Sequence, residues 1–210
     1  DSDVANVGAL LRMSGLIPKG FALAPYLEEA RKQLHQETDY TREGQYLARF
    51  GALLADAHDF TVPAFIPEWS TSQILAMSYV EGAPIEEAFT QPKDERRRIA
   101  DALIGLTLRE LFDEGLMQSD PNFANYRYDP KTGQIILLDF GATCELHPTV
   151  VAQYRALLAA GLGEDHAALE RIAGEIGFIA PETAPRHRAA IMEMMDMAFA
   201  ALRHDGPFDF

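Results

Sequence analysis

Residues 117–141 read MQSDPNFANYRYDPKTGQIILLDFG, and the fold of the whole chain turns on them. Residues 126–128 predict a short strand, 129–133 carry turn chemistry, and 135–138 predict a buried apolar strand. Together they make a hairpin. A turn centred on Thr132 pairs Tyr126 with Leu138 and, one step further out, sets Asn125 opposite Asp139. Directly opposed residues have Cβ atoms roughly 5 Å apart, close enough for an amide oxygen and a carboxylate to share one cation. Few hard oxygen ligands with open positions suit Mg²⁺ carried on a phosphate chain, so the implied ligand is a Mg-nucleotide.

Asp120 lies on the loop that leaves a long predicted helix, where a carboxylate can accept a hydroxyl proton or orient a nucleophile. Turn formation alone accounts for Pro121, Asn122 and Asn125, but it requires neither a Phe-Gly after Asp139 nor a buried strand before it. The order of catalytic Asp, metal Asn, hairpin and metal Asp is the protein-kinase arrangement.

The run LFDEGLMQSDPNFANYRYDPKTGQIILLDFGAT, with QETDYTREG upstream, resembles the UbiB family, the atypical protein-kinase-like proteins (aarF-domain kinases) linked to ubiquinone biosynthesis. The resemblance runs from about residue 2 to residue 210 and implies ATP and Mg²⁺ as cofactors. It matches Glu37 to the helix glutamate that pairs with a strand lysine, and Asp39 to the end of the family's ExD motif. It also implies that the glycine-rich-loop counterpart, the lysine and a KxGQ segment lie before Asp1, so the chain reads as a piece of a longer protein. Lipid or ubiquinone precursors and a biosynthetic complex are the implied partners. The implied setting is intracellular, cytoplasmic or membrane-peripheral, and mitochondrial if the source is eukaryotic.

With 210 residues, 48% hydrophobic and 24% charged, the chain can bury one sizeable core. A formal net charge of −14 disfavours nucleic acid and anionic membrane surfaces as partners. Cys144 is the single cysteine and excludes an internal disulfide. No apolar run approaches the roughly 20 residues of a membrane span.

Around these motifs the periodicity predicts a short helix over 2–14, a long one over 24–56, strands over 61–67 and 73–80, and a helix over 92–115. Helices over 149–161, 165–176 and 183–204 follow. On an unbroken helix Glu37 and Asp39 point roughly 200° apart and need different partners, whereas Asp39 and Glu43 share a face that reads as solvated from the residues alone and that the resemblance turns into one engaging a cationic or N-terminal element. In a kinase-like chain the second strand leads to the hinge, with Met77 as gatekeeper and backbone near Ser78 and Val80 meeting adenine; the family often has Glu where Ser78 stands. Arg96, Arg97 and Arg98 read as a solvated basic face, and Met192, Met194, Met195 and Met197 as core.

The expected fold is α+β and protein-kinase-like: one partial domain over 1–210, with about 1–80 giving N-lobe helix and strands and about 81–210 the helical C-lobe. Only residues 142–148 separate the DFG from the next helix, leaving no platform for a peptide substrate. The expected activity is that of an atypical kinase or ATPase acting on a small or lipid-linked acceptor. Catalytic roles fall to Asp120, Glu37 and Asp39, ATP binding to Met77, Ser78, Val80, Asn125 and Asp139, and metal binding to the last two. A nucleotide-binding regulatory pseudokinase module and an aminoglycoside-kinase-type phosphotransferase stand as alternatives.

Overall fold

A computed structural model of the chain describes residues 9–10, 23–28, 31, 39–120 and 122–206. The chain packs into two units, one of residues 1–107 with 118–144 and the other of 108–117 with 145–210.

In the first unit Asp39 starts helix α1 (Tyr40–Leu53). Its backbone, at φ −93° and ψ 85°, is not helical, and its carboxylate accepts the N–H groups of Thr41 and Arg42. This is an N-cap, which satisfies donors that the first turn leaves without carbonyl partners. The unbroken helix over 24–56 is therefore corrected: residues 23–28 and 31 are helical, Asp39 interrupts, and α1 begins afresh. Glu37 lies outside the described residues, and the rotation argument between it and Asp39 loses its basis. Leu47 and Phe50 on α1 are fully buried.

A four-stranded sheet follows, in the order β1–β5–β4–β2. Its members are β1 (Phe60–Thr61), β2 (Ala83–Pro84), β4 (Tyr126–Asp129) and β5 (Gln134–Leu137). Central β5 buries Ile135, Ile136 and Leu137 almost completely, because it is flanked by strands on both edges. β1 joins it in parallel, Phe60 beside Ile135 and Thr61 beside Ile136.

The hairpin forms one residue out of the expected register. Tyr126 pairs with Leu137 and Asp129 with Gln134, so Asn125 stands opposite Leu138, whose N–H donates to the Asn125 carbonyl at 3.1 Å. The cause is the turn. Asp129 accepts from Lys131 N at 2.9 Å and Thr132 Oγ1 at 2.8 Å, and Gly133 takes φ +74°, closing a four-residue loop instead of one centred on Thr132.

Residues 61–80 do not form the two regular strands expected. Isolated bridges join Phe65 to Met77 and Thr71 to Ile74, and Ile66 N and Ser78 N each donate across at 2.9 Å. Pro63 and Pro67 lack the N–H groups that a continuous ladder needs, and Ala64 N donates to the Ser78 hydroxyl at 2.8 Å.

Helix α2 (Lys93–Arg109) is fastened to the hairpin by Arg98, which bonds to Glu95, Asp59 and the carbonyl of Gly133. The solvated reading of residues 96–98 holds for Arg96 and Arg97 alone, since Arg98 is half-buried. The Arg98 bond holds the Glu95 carboxyl below its ordinary range, and Tyr128 donates to the same carboxylate at 3.0 Å. Ile99 and Leu106 form the buried side of α2, while Ile104 and Leu108 are exposed.

In the second unit a π-turn over Glu110–Glu114 ends at Gly115, whose φ of +58° is left-handed and favours glycine. The chain passes between the units along β3 (Leu116–Gln118) and β6 (Thr143–Glu145). Three helices complete the unit: α3 (Pro148–Leu162), α4 (His166–Ile176) and α5 (Pro185–Arg203). Their core holds Leu157, Leu169, Ile172 and Ala173, with Met192, Met195 and Phe199 packed against it. Gly161 is where the Phe199 ring sits, since a Cβ there would lie 2.4 Å from it. Half of the methionine reading is corrected: Met194 and Met197 are 64% and 62% exposed, because a helix in contact along one side turns those positions outward.

Candidate active site

Asp120 and Asn125 flank one short loop. Asn122 accepts the Ala124 N–H at 3.0 Å and starts the 3₁₀ turn Phe123–Asn125. That turn brings Asn125 back to Asp120, with Nδ2 donating to the Asp120 carbonyl at 3.3 Å and, weakly, to Oδ2 at 3.5 Å. With its nitrogen engaged on Asp120, the Asn125 side chain keeps its amide oxygen as an acceptor. Asp120 is exposed.

Asp139 stands after β5, one position beyond the Leu138 that Asn125 bonds. Its Oδ1 accepts the Gly141 N–H at 2.9 Å, which pins the carboxylate over its own turn. Phe140 points the other way, 1% exposed, its ring centroid 4.8 Å from that of Phe50 on α1. Ser119 ties the Asp120 loop to the same turn, its hydroxyl donating to the Ala142 carbonyl at 2.6 Å.

Two residues of α1 that the sequence reading did not single out for the site complete it. Glu43, read as solvated, is 8% exposed and accepts the Phe140 N–H. A Cβ added to Gly141 would lie 3.4 Å from Asp139 Oδ1 and 3.5 Å from Glu43 Oε2, so the two carboxylates converge on this glycine. Arg42 donates through Nη1 to the Gly141 carbonyl at 2.9 Å and through Nη2 to that of Thr143, its guanidinium 4.9 Å from the Tyr46 ring centroid. The available signal was the cap itself: an Asp followed by Tyr-Thr-Arg-Glu predicts a helix start at Asp39 and a shared first turn for Arg42 and Glu43.

Burial, then the charge of Asp139, raises the Glu43 carboxyl above its ordinary pKa, with the Phe140 N–H pulling the other way. The folded state therefore holds this proton more tightly than the unfolded state. The stability this confers is complete at acid pH and is lost as pH rises through the raised pKa. Glu43→Gln keeps an acceptor for Phe140 and removes the charge. Without divalent cations the variant is expected to be more stable than the wild type at about pH 7, and the advantage to vanish by about pH 4. Denaturant titrations at both pH values check this; an advantage that persists at the lower pH would detach it from ionisation.

Among the described residues no group of three or more His, Cys, Asp or Glu could by itself hold a metal ion. An all-protein cage is thus not formed by these residue types among the described residues, and a cation held partly by phosphate oxygens needs fewer protein ligands. Met77, Ser78 and Val80 are half-buried on the irregular ribbon over 61–80.

A small sheet flanked by helices, with an Asp-loop-Asn segment before a hairpin and Asp-Phe-Gly after it, is an α+β fold of the protein-kinase-like class. A structure of Rv3197 with erythromycin from Mycobacterium tuberculosis has the same fold, at TM-score 0.63 and 20% identity, over 93% of this chain and 50% of that one. The profile of the ABC1 atypical kinase-like domain matches residues 1–173, and the chain belongs to that family, UbiB.

Among its relatives, the atypical kinase coq-8, mitochondrial, of Caenorhabditis elegans is 34% identical over 215 residues, covering 100% of this chain and 28% of its own length. COQ8 of Saccharomyces cerevisiae is 35% identical over 179 residues, covering 85% of this chain and 36% of its own. COQ8B of Rattus norvegicus is 34% identical over 213 residues, covering 100% and 40%. The chain thus spans two-fifths or less of these relatives. No described helix is long and apolar enough to cross a membrane.

Proposed function

We propose that this chain is the catalytic-loop and metal-binding part of an ATP-dependent atypical kinase or ATPase of the UbiB type. Asn125 and Asp139 hold a Mg²⁺ that enters with the nucleotide. Asp120 takes the proton from the attacking hydroxyl, of an acceptor or of water, as its oxygen bonds to the γ-phosphorus and the bond to the ADP leaving group breaks. When bound, the cation neutralises phosphate charge. Backbone near Ser78 and Val80 meets adenine beside Met77, Asp39 supports the site from the head of α1, and by the resemblance Glu37 has the role of the helix glutamate that serves a strand lysine.

The observation that carries this reading is the frame around the three polar residues. Asn125 bonds Asp120 through its side chain and Leu138, the residue before Asp139, through its backbone carbonyl, so the three residues stand on neighbouring segments joined by hydrogen bonds. The names of the relatives, all atypical kinases, agree with it. By the same resemblance the acceptor is a lipid or ubiquinone precursor and the setting a biosynthetic complex, in mitochondria if the source is eukaryotic. The short segment between Gly141 and α3 is consistent with a small acceptor.

Nucleotide titrations of the full-length protein, with Mg²⁺ and with a chelator, test the proposal. The wild type is expected to bind ATP far better with Mg²⁺, and Asp139→Asn to lose at least about tenfold of that Mg²⁺-dependent affinity. Equal affinities with and without Mg²⁺ in the wild type would overturn it.

A further inference from the structure

The cap on α1 and the turn after β5 meet at one side chain. Arg42 is half-buried, and its guanidinium donates to two carbonyls two residues apart, those of Gly141 and Thr143, both of them buried residues. A planar fork of fixed donors can bridge such a pair, whereas a single ammonium cannot. The neighbouring Glu43 accepts the Phe140 N–H, so adjacent α1 side chains hold three backbone groups of one turn. Gly141, whose carbonyl Arg42 holds, donates through its N–H to Asp139 Oδ1. The position of Arg42 depends in turn on Asp39, whose Oδ1 accepts the Arg42 N–H at 3.2 Å and sets where the helix begins.

We propose that Arg42 is a positioning residue for the cation site, holding the Asp139–Thr143 turn so that the Asp139 carboxylate faces the metal, and that Asp39 acts through Arg42. This rests on the reading of Asp139 as a metal ligand. Without Arg42 two buried carbonyls lose their donor, the turn relaxes toward water, and Gly141 N no longer fixes the carboxylate. Asp39 belongs to the same device, because its capping carboxylate locates the first turn of α1.

The test uses the full-length protein and measures ATP affinity with Mg²⁺ and with a chelator, the Mg²⁺ concentration for half-maximal hydrolysis, and thermal midpoints. Arg42→Gln is expected to weaken Mg-ATP binding about tenfold and raise the half-maximal Mg²⁺ by a similar factor, with chelator affinity unchanged. Arg42→Lys, which keeps one donor, falls between. Asp39→Ala shows the same pattern more weakly. The exposed control Arg97→Gln changes nothing.

A purely structural Arg42 would lower both affinities in step with the thermal midpoint, or lower neither, and each of these results overturns the proposal. Should Arg42→Gln fail to fold, Arg42→Lys decides by the same two measures. A wild type that binds nucleotide without regard to Mg²⁺ removes the metal site and this inference with it. An Mg²⁺-dependent wild type with an indifferent Arg42→Gln removes this inference alone.

Discussion

Asp120→Asn in the full-length protein is expected to lower ATP turnover by about 10²–10⁴-fold while Mg-ATP affinity stays within about threefold. The substitution keeps the shape of the loop. Asn125 donates chiefly to the backbone carbonyl of residue 120, and the weaker bond to Oδ2 finds the same acceptor in an asparagine oxygen. The Ser119 hydroxyl, which ties the loop to Ala142, is untouched. What disappears is a carboxylate able to take a proton, so the loss belongs to kcat and not to binding. Steady-state hydrolysis and a binding titration on the same samples separate the two. Turnover at the wild-type rate would remove Asp120 from the reaction.

Phe140→Ala is expected to reduce the stability of this chain by roughly 3–5 kcal/mol, the usual cost of deleting a buried aromatic ring. Phe140 is 1% exposed and lies against Phe50, itself fully buried on α1, so truncation opens a cavity between the helix and the turn that carries Asp139. The same deletion loosens the site, since Glu43 and Arg42 grip the backbone on either side of the ring. Chemical denaturation gives the number. A loss below about 1 kcal/mol would place the ring outside the core.

The local motifs carried much of this architecture. Residues 126–138 form a hairpin because Asp129, Thr132 and Gly133 are turn formers between apolar runs, and the helices after Pro148 start and stop near the residues that periodicity indicates. The register was not legible, since whether a turn has an odd or even number of residues depends on which side chains cap it. Asp129 bonding both Lys131 and Thr132 made it even. For the site, the hairpin slip moved Asp139 out of direct opposition to Asn125. Asp39 misled for a related reason: an acid inside a helical pattern looks like part of a face until its carboxylate is seen capping the backbone.

The sequence by itself determined the protein-kinase-like class and the strand-turn-strand over residues 126–138, and it named the oxygen-bearing residues proposed for proton transfer and metal binding, because short-range chemistry specifies turns, caps and buried strands within a few positions. Tertiary structure decided what those residues meet. Arg42 reaches Gly141 across 99 positions of chain, Thr61 Oγ1 reaches Gln134 across 73, and β1 lies parallel to β5. No local pattern encodes such partners, because each is chosen by which buried surfaces pack together. Glu43 shows the consequence most plainly: the same carboxylate that reads as a solvated helix face becomes, once α1 lies on Phe140, a buried neighbour of Asp139 with a raised pKa.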